Sequence, residues 1–167
     1  GSEKRGVEAS SKDLFSDAMC FLTDGNAVGE PWAGLLERFW ESLGCRVCWT
    51  DAATHDELVA RISHFPHLIA AAAAKVSLRD PSDARFGGGG LRDTTRVAGG
   101  DPDMWAEILM ENRTAVSSSV SDAIAMLKEI QGALEAGNHE AIKSWLESAH
   151  DLHRMSQSSM KPSGKIS

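Results

Sequence analysis

Two imidazoles stand three residues apart in Ser63-His64-Phe65-Pro66-His67. On a helix, positions i and i+3 share a face, so both rings can turn toward one pocket, while the proline between them frees backbone groups and opens the helix surface. Such a pair suits proton transfer or polar contact with a substrate; the alternative is two half-buried histidines that serve only packing. Zinc is not expected, because no further ligand stands at a helical offset of the H-E-x-x-H kind. A second stretch, Gly87-Gly88-Gly89-Gly90-Leu91-Arg92-Asp93-Thr94-Thr95-Arg96, places a backbone that a ligand can approach closely just ahead of two arginines. Their forked donors match a carboxylate. The plainer alternative is a flexible loop and a helix with an Asp93–Arg96 ion pair, worth little if exposed. A dinucleotide phosphate cradle is disfavoured, since no strand precedes these glycines and the G-x-G-x-x-G pattern is absent. Cys45 and Cys48 have the C-x-x-C spacing, but on a strand an offset of three sends the two thiols to opposite faces, and no second pair exists.

The elements that must position these groups change character along the chain. Residues 1–18 form an irregular leading segment with a turn near Asp13. Met19 to Thr23 is a short apolar run stopped by Asp24-Gly25-Asn26, a strand and its turn. Pro31 opens a helix whose Trp32, Leu35, Leu36, Phe39, Trp40 and Leu43 follow the helical repeat, with Gly44 placed as a left-handed cap and a second strand at Arg46 to Trp49. Two strands make no stable sheet alone, so this βαβ piece reads as the end of a larger α/β sheet. From Asp51 onward only the helical repeat remains. Thr54 is expected to cap a long helix kinked at Pro66, with Ala70 to Ala74 allowing close approach of another helix. Residues 79–100 are expected as loops around a short helix at Leu91 to Ala98. Asp101-Pro102 starts a helix running to about Ala136, irregular near Ser117-Ser118-Ser119. Gly137 closes it, Asn138 caps a last helix, and 156–167 reads as a disordered tail. Trp32, Trp40 and Trp145 lie in apolar stripes and read as core, whereas Trp105 starts its helix close in sequence to Arg96.

At 167 residues the chain is one domain and a fraction, which excludes a large multidomain enzyme. With 42% hydrophobic and 25% charged residues it can bury a core. A formal charge of −7 with scattered basic residues argues against a nucleic-acid surface, so an anionic substrate needs a local basic pocket. Three cysteines, and no apolar run long enough for a signal or membrane segment, favour a reducing cytoplasm.

Three stretches in order are specific together: Gly1-Ser2-Glu3-Lys4-Arg5-Gly6-Val7-Glu8-Ala9, then His55-Asp56 with Ser63-His64-Phe65-Pro66-His67, then Gly88-Gly89-Gly90-Leu91-Arg92-Asp93-Thr94-Thr95-Arg96. They resemble the prephenate dehydrogenase family, whose patterns run H-P-x-A-G-S-E-K-x-G, H-D, S-H-L-P-H and G-G-G-F-R-D-x-T-R. The resemblance extends from Gly1 to about Arg154. Leu91 and Phe65 depart from it only by exchanging one apolar side chain for another.

The resemblance implies a mainly α fold: residues 1–51 as the end of an α/β nucleotide-binding domain and 52–155 as a helical substrate-binding and dimerisation domain that forms a homodimer. It implies oxidative decarboxylation of prephenate, or the matching oxidation of arogenate, in tyrosine biosynthesis with NAD or NADP. Carried over by motif, Arg96 holds a substrate carboxylate, His67 makes a polar contact, Ser2 lines the site, Trp105 forms a wall and Gly89 reaches in. His64 and Ser63 stand beside them, and Asp93 and Glu3 orient the contact residues. The catalytic histidine is expected four residues before Gly1, so the chain alone is expected to be inactive and to bind no NAD. The competing expectation is a free-standing helical dimerisation module without catalysis.

Overall fold

The computed structural model describes residues 10–11, 13–23, 29 and 31–160, the side chains of 159 and 160 excepted. Ser2, Glu3 and the rest of 1–9 lie outside the described residues, as do 161–167. The described residues fall into two compact units, divided between Ser119 and Val120.

In the first unit, a turn at 13–17 leads into β1 (Met19–Leu22), followed by α1 (Trp32–Ser42) and β2 (Arg46–Trp49). The strands pair in parallel, with Met19 opposite Arg46 and Leu22 opposite Trp49. The handover from α1 to β2 depends on Gly44. At φ +89° its N–H reaches the Glu41 carbonyl while the Cys45 N–H reaches that of Trp40, the paired bonds of a Schellman cap. Trp49 Nε1 donates to Glu37 Oε2 at 3.3 Å and ties β2 to α1. The core here is small, with Leu22 and Cys45 buried. The apolar face of α1 is not: Trp32 is 63% exposed and Phe39 53%, because a two-stranded sheet is too narrow to cover an eleven-residue helix. The expectation that Trp32 belongs to the core is therefore corrected.

The helical part begins with α2 (Ala52–Val59), which runs through a π-helical turn at Ala60–His64 into α3 (Phe65–Ser77). Asp51 caps α2, not the expected Thr54: its Oδ1 accepts the Thr54 N–H at 2.9 Å and its Oδ2 the Thr54 hydroxyl at 2.6 Å. A cap residue precedes the helix in an extended conformation and reaches an N–H of the first turn, as Asp51 does. The kink expected at Pro66 is a widened turn, with the Phe65 N–H reaching back five residues to the Ala60 carbonyl. A proline in the second position of α3 donates nothing to the preceding turn, and the helix takes up the mismatch by widening there.

A 3-10 turn at Pro81–Phe86, α4 (Gly89–Thr95) and a second 3-10 turn at Arg96–Gly99 follow. The loop is thus shorter than the glycine run suggests, since Gly89 and Gly90 already belong to α4. The segment expected as one helix to Ala98 tightens at Arg96. Both α4 and the Arg96–Gly99 turn pack on α3, where Ala70 is buried within the small-residue run.

Asp101 caps α5 (Pro102–Glu111) through a 3.0 Å bond from the Met104 N–H. The helix stops at Asn112, at φ −107° and ψ 28°, before α6 (Arg113–Glu135). The expected irregularity at Ser117–Ser119 is therefore corrected: α6 passes through those serines, and the break falls where Asn112 turns its side chain away from the helix. In the second unit, a Schellman cap at Gly137 ends α6 and Asn138 Oδ1 accepts the Ala141 N–H to start α7 (His139–Met160). Residues 156–160 are helical, which corrects the early part of the expected disordered tail. Among the described residues no helix is long and apolar enough to cross a membrane.

Candidate functional site

Two of the residues singled out by motif, His64 and His67, meet Trp105 in the first turn of α5. The His67 ring, from α3, stacks on the indole at 3.6 Å between centroids and 11° between planes. His64, at the end of the π turn, meets the same indole edge-on, 6.4 Å away at 84°. The i, i+3 spacing thus brings both rings to one indole. The wall is closed behind by Gly100: a Cβ there would stand 2.6 Å from Trp105 Nε1 and 3.2 Å from His67 Cε1. Gly100 has an ordinary extended backbone, so it is needed for close approach and not for φ.

Burial sets the protonation of this wall. Desolvation pushes His67 below the ordinary imidazole value of 6.5. His64 is lowered first by desolvation and next by the nearby His55, with Asp56 opposing. Both rings are therefore neutral near pH 7, each with one donor and one acceptor nitrogen. His67 is 8% exposed, and its Nδ1 is buried without a hydrogen-bond partner. Left without a partner among the described residues, a buried nitrogen of this kind costs on the order of 1–3 kcal/mol.

Arg96 begins the 3-10 turn that packs on α3, the helix that carries His67. Its side chain is exposed and, among the described residues, has no hydrogen-bond or ion-pair partner. The Asp93–Arg96 ion pair of the plainer alternative is not formed. Asp93 and Ser63 are exposed, and Gly89 has open space where a Cβ would point. Cys20, Cys45 and Cys48 are free thiols, and no group of three potential ligands gathers for a metal among the described residues.

Sequence reasoning missed Asn112 and Gly100. Asn112 is buried, and its Nδ2 donates to the Asp56 carbonyl at 2.7 Å and approaches His64 Nδ1 at 3.4 Å. A signal existed for both: an asparagine interrupting an apolar helical repeat, and a second glycine just before an Asp-Pro helix start. His55 also joins the frame, bonded to Asp56 Oδ1 at 3.0 Å and packed edge-on against Phe21 of β1 at 5.4 Å.

Comparison with known proteins finds that residues 51–148 match the family model for the prephenate dehydrogenase dimerization domain. A prephenate dehydrogenase of Bacillus subtilis is 29% identical over 155 residues, which cover 90% of this chain and 42% of that protein. A cyclohexadienyl dehydrogenase of Zymomonas mobilis is 31% identical over 140 residues, covering 80% and 47%. Among solved structures, the prephenate dehydrogenase of A. aeolicus in complex with hydroxyphenyl propionate and NAD+ superposes with a TM-score of 0.82 at 28% identity, over 93% of this chain and 56% of that one. The chain thus spans less than half the length of these curated relatives.

Two outcomes follow from the geometry. Replacing Gly100 by Ala should force Trp105 off its stack and destabilise the protein by about 1–3 kcal/mol in urea unfolding. Gly99→Ala, whose Cβ meets nothing within 4 Å, should be neutral or stabilising by no more than about 1 kcal/mol. Equal effects at 99 and 100 would show that the close approach is not tight. The second outcome concerns pH. A histidine whose folded pKa is depressed gives stability that is present above its unfolded value and lost as pH falls through the folded one. The melting temperature should therefore drop as pH falls below 6.5, and less steeply in a His64→Gln, His67→Gln double variant. Parallel curves for the two proteins would refute this.

Proposed function

This chain belongs to the prephenate dehydrogenase family through its helical dimerization domain, and from that premise we propose that it supplies the substrate-binding and dimerisation region of a cytoplasmic enzyme that oxidatively decarboxylates prephenate, or oxidises arogenate in the same way. Residues 1–51 are read as the end of the nucleotide-binding domain and 52–155 as the helical domain. The observation that carries the reading is the buried, unpartnered Nδ1 of His67, stacked on Trp105 in the same packed group of elements as an arginine without an ion partner. A hydrophobic pocket with a few convergent polar groups is what a small cyclic dicarboxylate requires.

In this reading Arg96 takes a substrate carboxylate on its fork, and its exposure lets it meet the anion before desolvation. Trp105 offers an apolar plane to the six-membered ring. His67 Nδ1 bonds a polar substituent, which relieves its orphaned state. The catalytic proton acceptor is proposed to be the histidine of the family's H-P-x-A-G-S-E-K pattern, which these residues do not include. NAD or NADP is the proposed cofactor of the parent enzyme and supplies the hydride acceptor when bound. No G-x-G-x-x-G stands in these 167 residues, so they do not form its pyrophosphate cradle, and alone they are expected to give no turnover.

Dimerisation is proposed to use the second unit. There Leu127, Leu134, Leu146, Leu152 and Met155 are each more than half exposed, an apolar surface of the kind that a second copy covers. A groove of about 480 Å³ between α6 and α7, floored by Trp145, lies in the same unit.

The test uses the full-length enzyme. Arg96→Lys keeps the charge but loses the fork, and should cost about 2–4 kcal/mol of substrate binding, roughly 30-fold to 700-fold in affinity. An unaltered KM would remove Arg96 from the site. A well-folded full-length enzyme that turns over neither prephenate nor arogenate with either dinucleotide would overturn the function itself.

A further inference from the structure

Asn112 joins the break between α5 and α6 to α2, ahead of the widened turn, and to His64 at the end of that turn. Its orientation is fixed by chemistry. The Asp56 carbonyl can only accept, so the atom 2.7 Å from it is the amide nitrogen, and the second hydrogen of that same nitrogen is left for His64 Nδ1 at 3.4 Å. An amide nitrogen donates and does not accept. His64 Nδ1 must therefore be the lone-pair nitrogen, and the ring proton sits on Nε2. Asn112 is itself 9% exposed, so water does not readily substitute for it. Without it the ring could carry its proton on either nitrogen, and could turn about its χ angles against Trp105.

We infer that Asn112 is a positioning residue for the substrate pocket: its amide locks the His64 ring against Trp105 with Nδ1 as acceptor, which leaves Nε2–H as the one donor His64 can present. The inference rests on the functional reading above, to which it adds the origin of one donor in the binding wall.

The experiment uses the full-length enzyme labelled with 15N in its histidine rings, the His64 signals being identified by their loss in His64→Gln. Above neutral pH the wild type should show a bare Nδ1 and a protonated Nε2 for His64, and Asn112→Ala should give a mixture of the two tautomers. In kinetics, Asn112→Ala should raise KM about tenfold, the worth of one hydrogen bond, with kcat changed less. In the His64→Gln background the same change should have no further effect on KM. A wild-type His64 protonated on Nδ1 would overturn the inference, as would an Asn112 effect of undiminished size without His64. If Asn112→Ala does not fold, the wild-type nitrogen shifts decide the inference by themselves, a proton on His64 Nδ1 overturning it. A wild type without dehydrogenase activity would sink the functional reading, while the nitrogen shifts would still decide what Asn112 does.

Discussion

A proline in the second position of a helix has no hydrogen to give to the turn before it, and in this chain that missing bond shapes the site. The ladder between α2 and α3 widens at Ala60–His64 instead of breaking, so the chain stays helical on both sides of the fault. His64 ends the wide turn and His67 lies in the first turn of the helix that follows, which brings both rings to one indole. The widened turn has a partner from outside its own helix in Asn112, whose amide bonds the Asp56 carbonyl ahead of it. Proline, wide turn, histidine pair and helix break are parts of one arrangement.

Electrostatics divides the labour. The chain carries a formal charge of −7, which at long range repels an anionic substrate. The imidazoles are neutral because burial makes their protonation costly, so they contribute hydrogen bonds and not charge. Arg96, exposed and without an ion partner among the described residues, is a permanent cation on the turn that packs on α3.

Much of this was legible in the residues, for identifiable reasons. The βαβ piece, its Gly44 cap, and the starts of α5 and α7 follow from local rules that tertiary context did not override. The histidine pair followed from helical spacing. What was not legible depends on partners distant in sequence. Asn112 reads as an ordinary polar residue until Asp56, 56 positions away, comes within reach of it. The exposure of Trp32 and Phe39 could not be read from their stripe, because periodicity says which face is apolar and not whether anything covers it. Composition places Gly89 and Gly90 in a loop, whereas they begin α4, a helix of low propensity that packs on α3.

We propose that the helical part of this chain grips the substrate's charged end with Arg96 and its ring with the His67–Trp105 wall. The most direct measurement is a crystal structure of the full-length enzyme with 4-hydroxyphenylpyruvate, the aromatic ketoacid that oxidative decarboxylation of prephenate yields. The expected result is a carboxylate within hydrogen-bond distance of the Arg96 guanidinium, the ring lying over Trp105, and a polar atom of the ligand bonded to His67 Nδ1. A ligand bound elsewhere, with Arg96 in solvent and His67 Nδ1 still unpartnered, would contradict it.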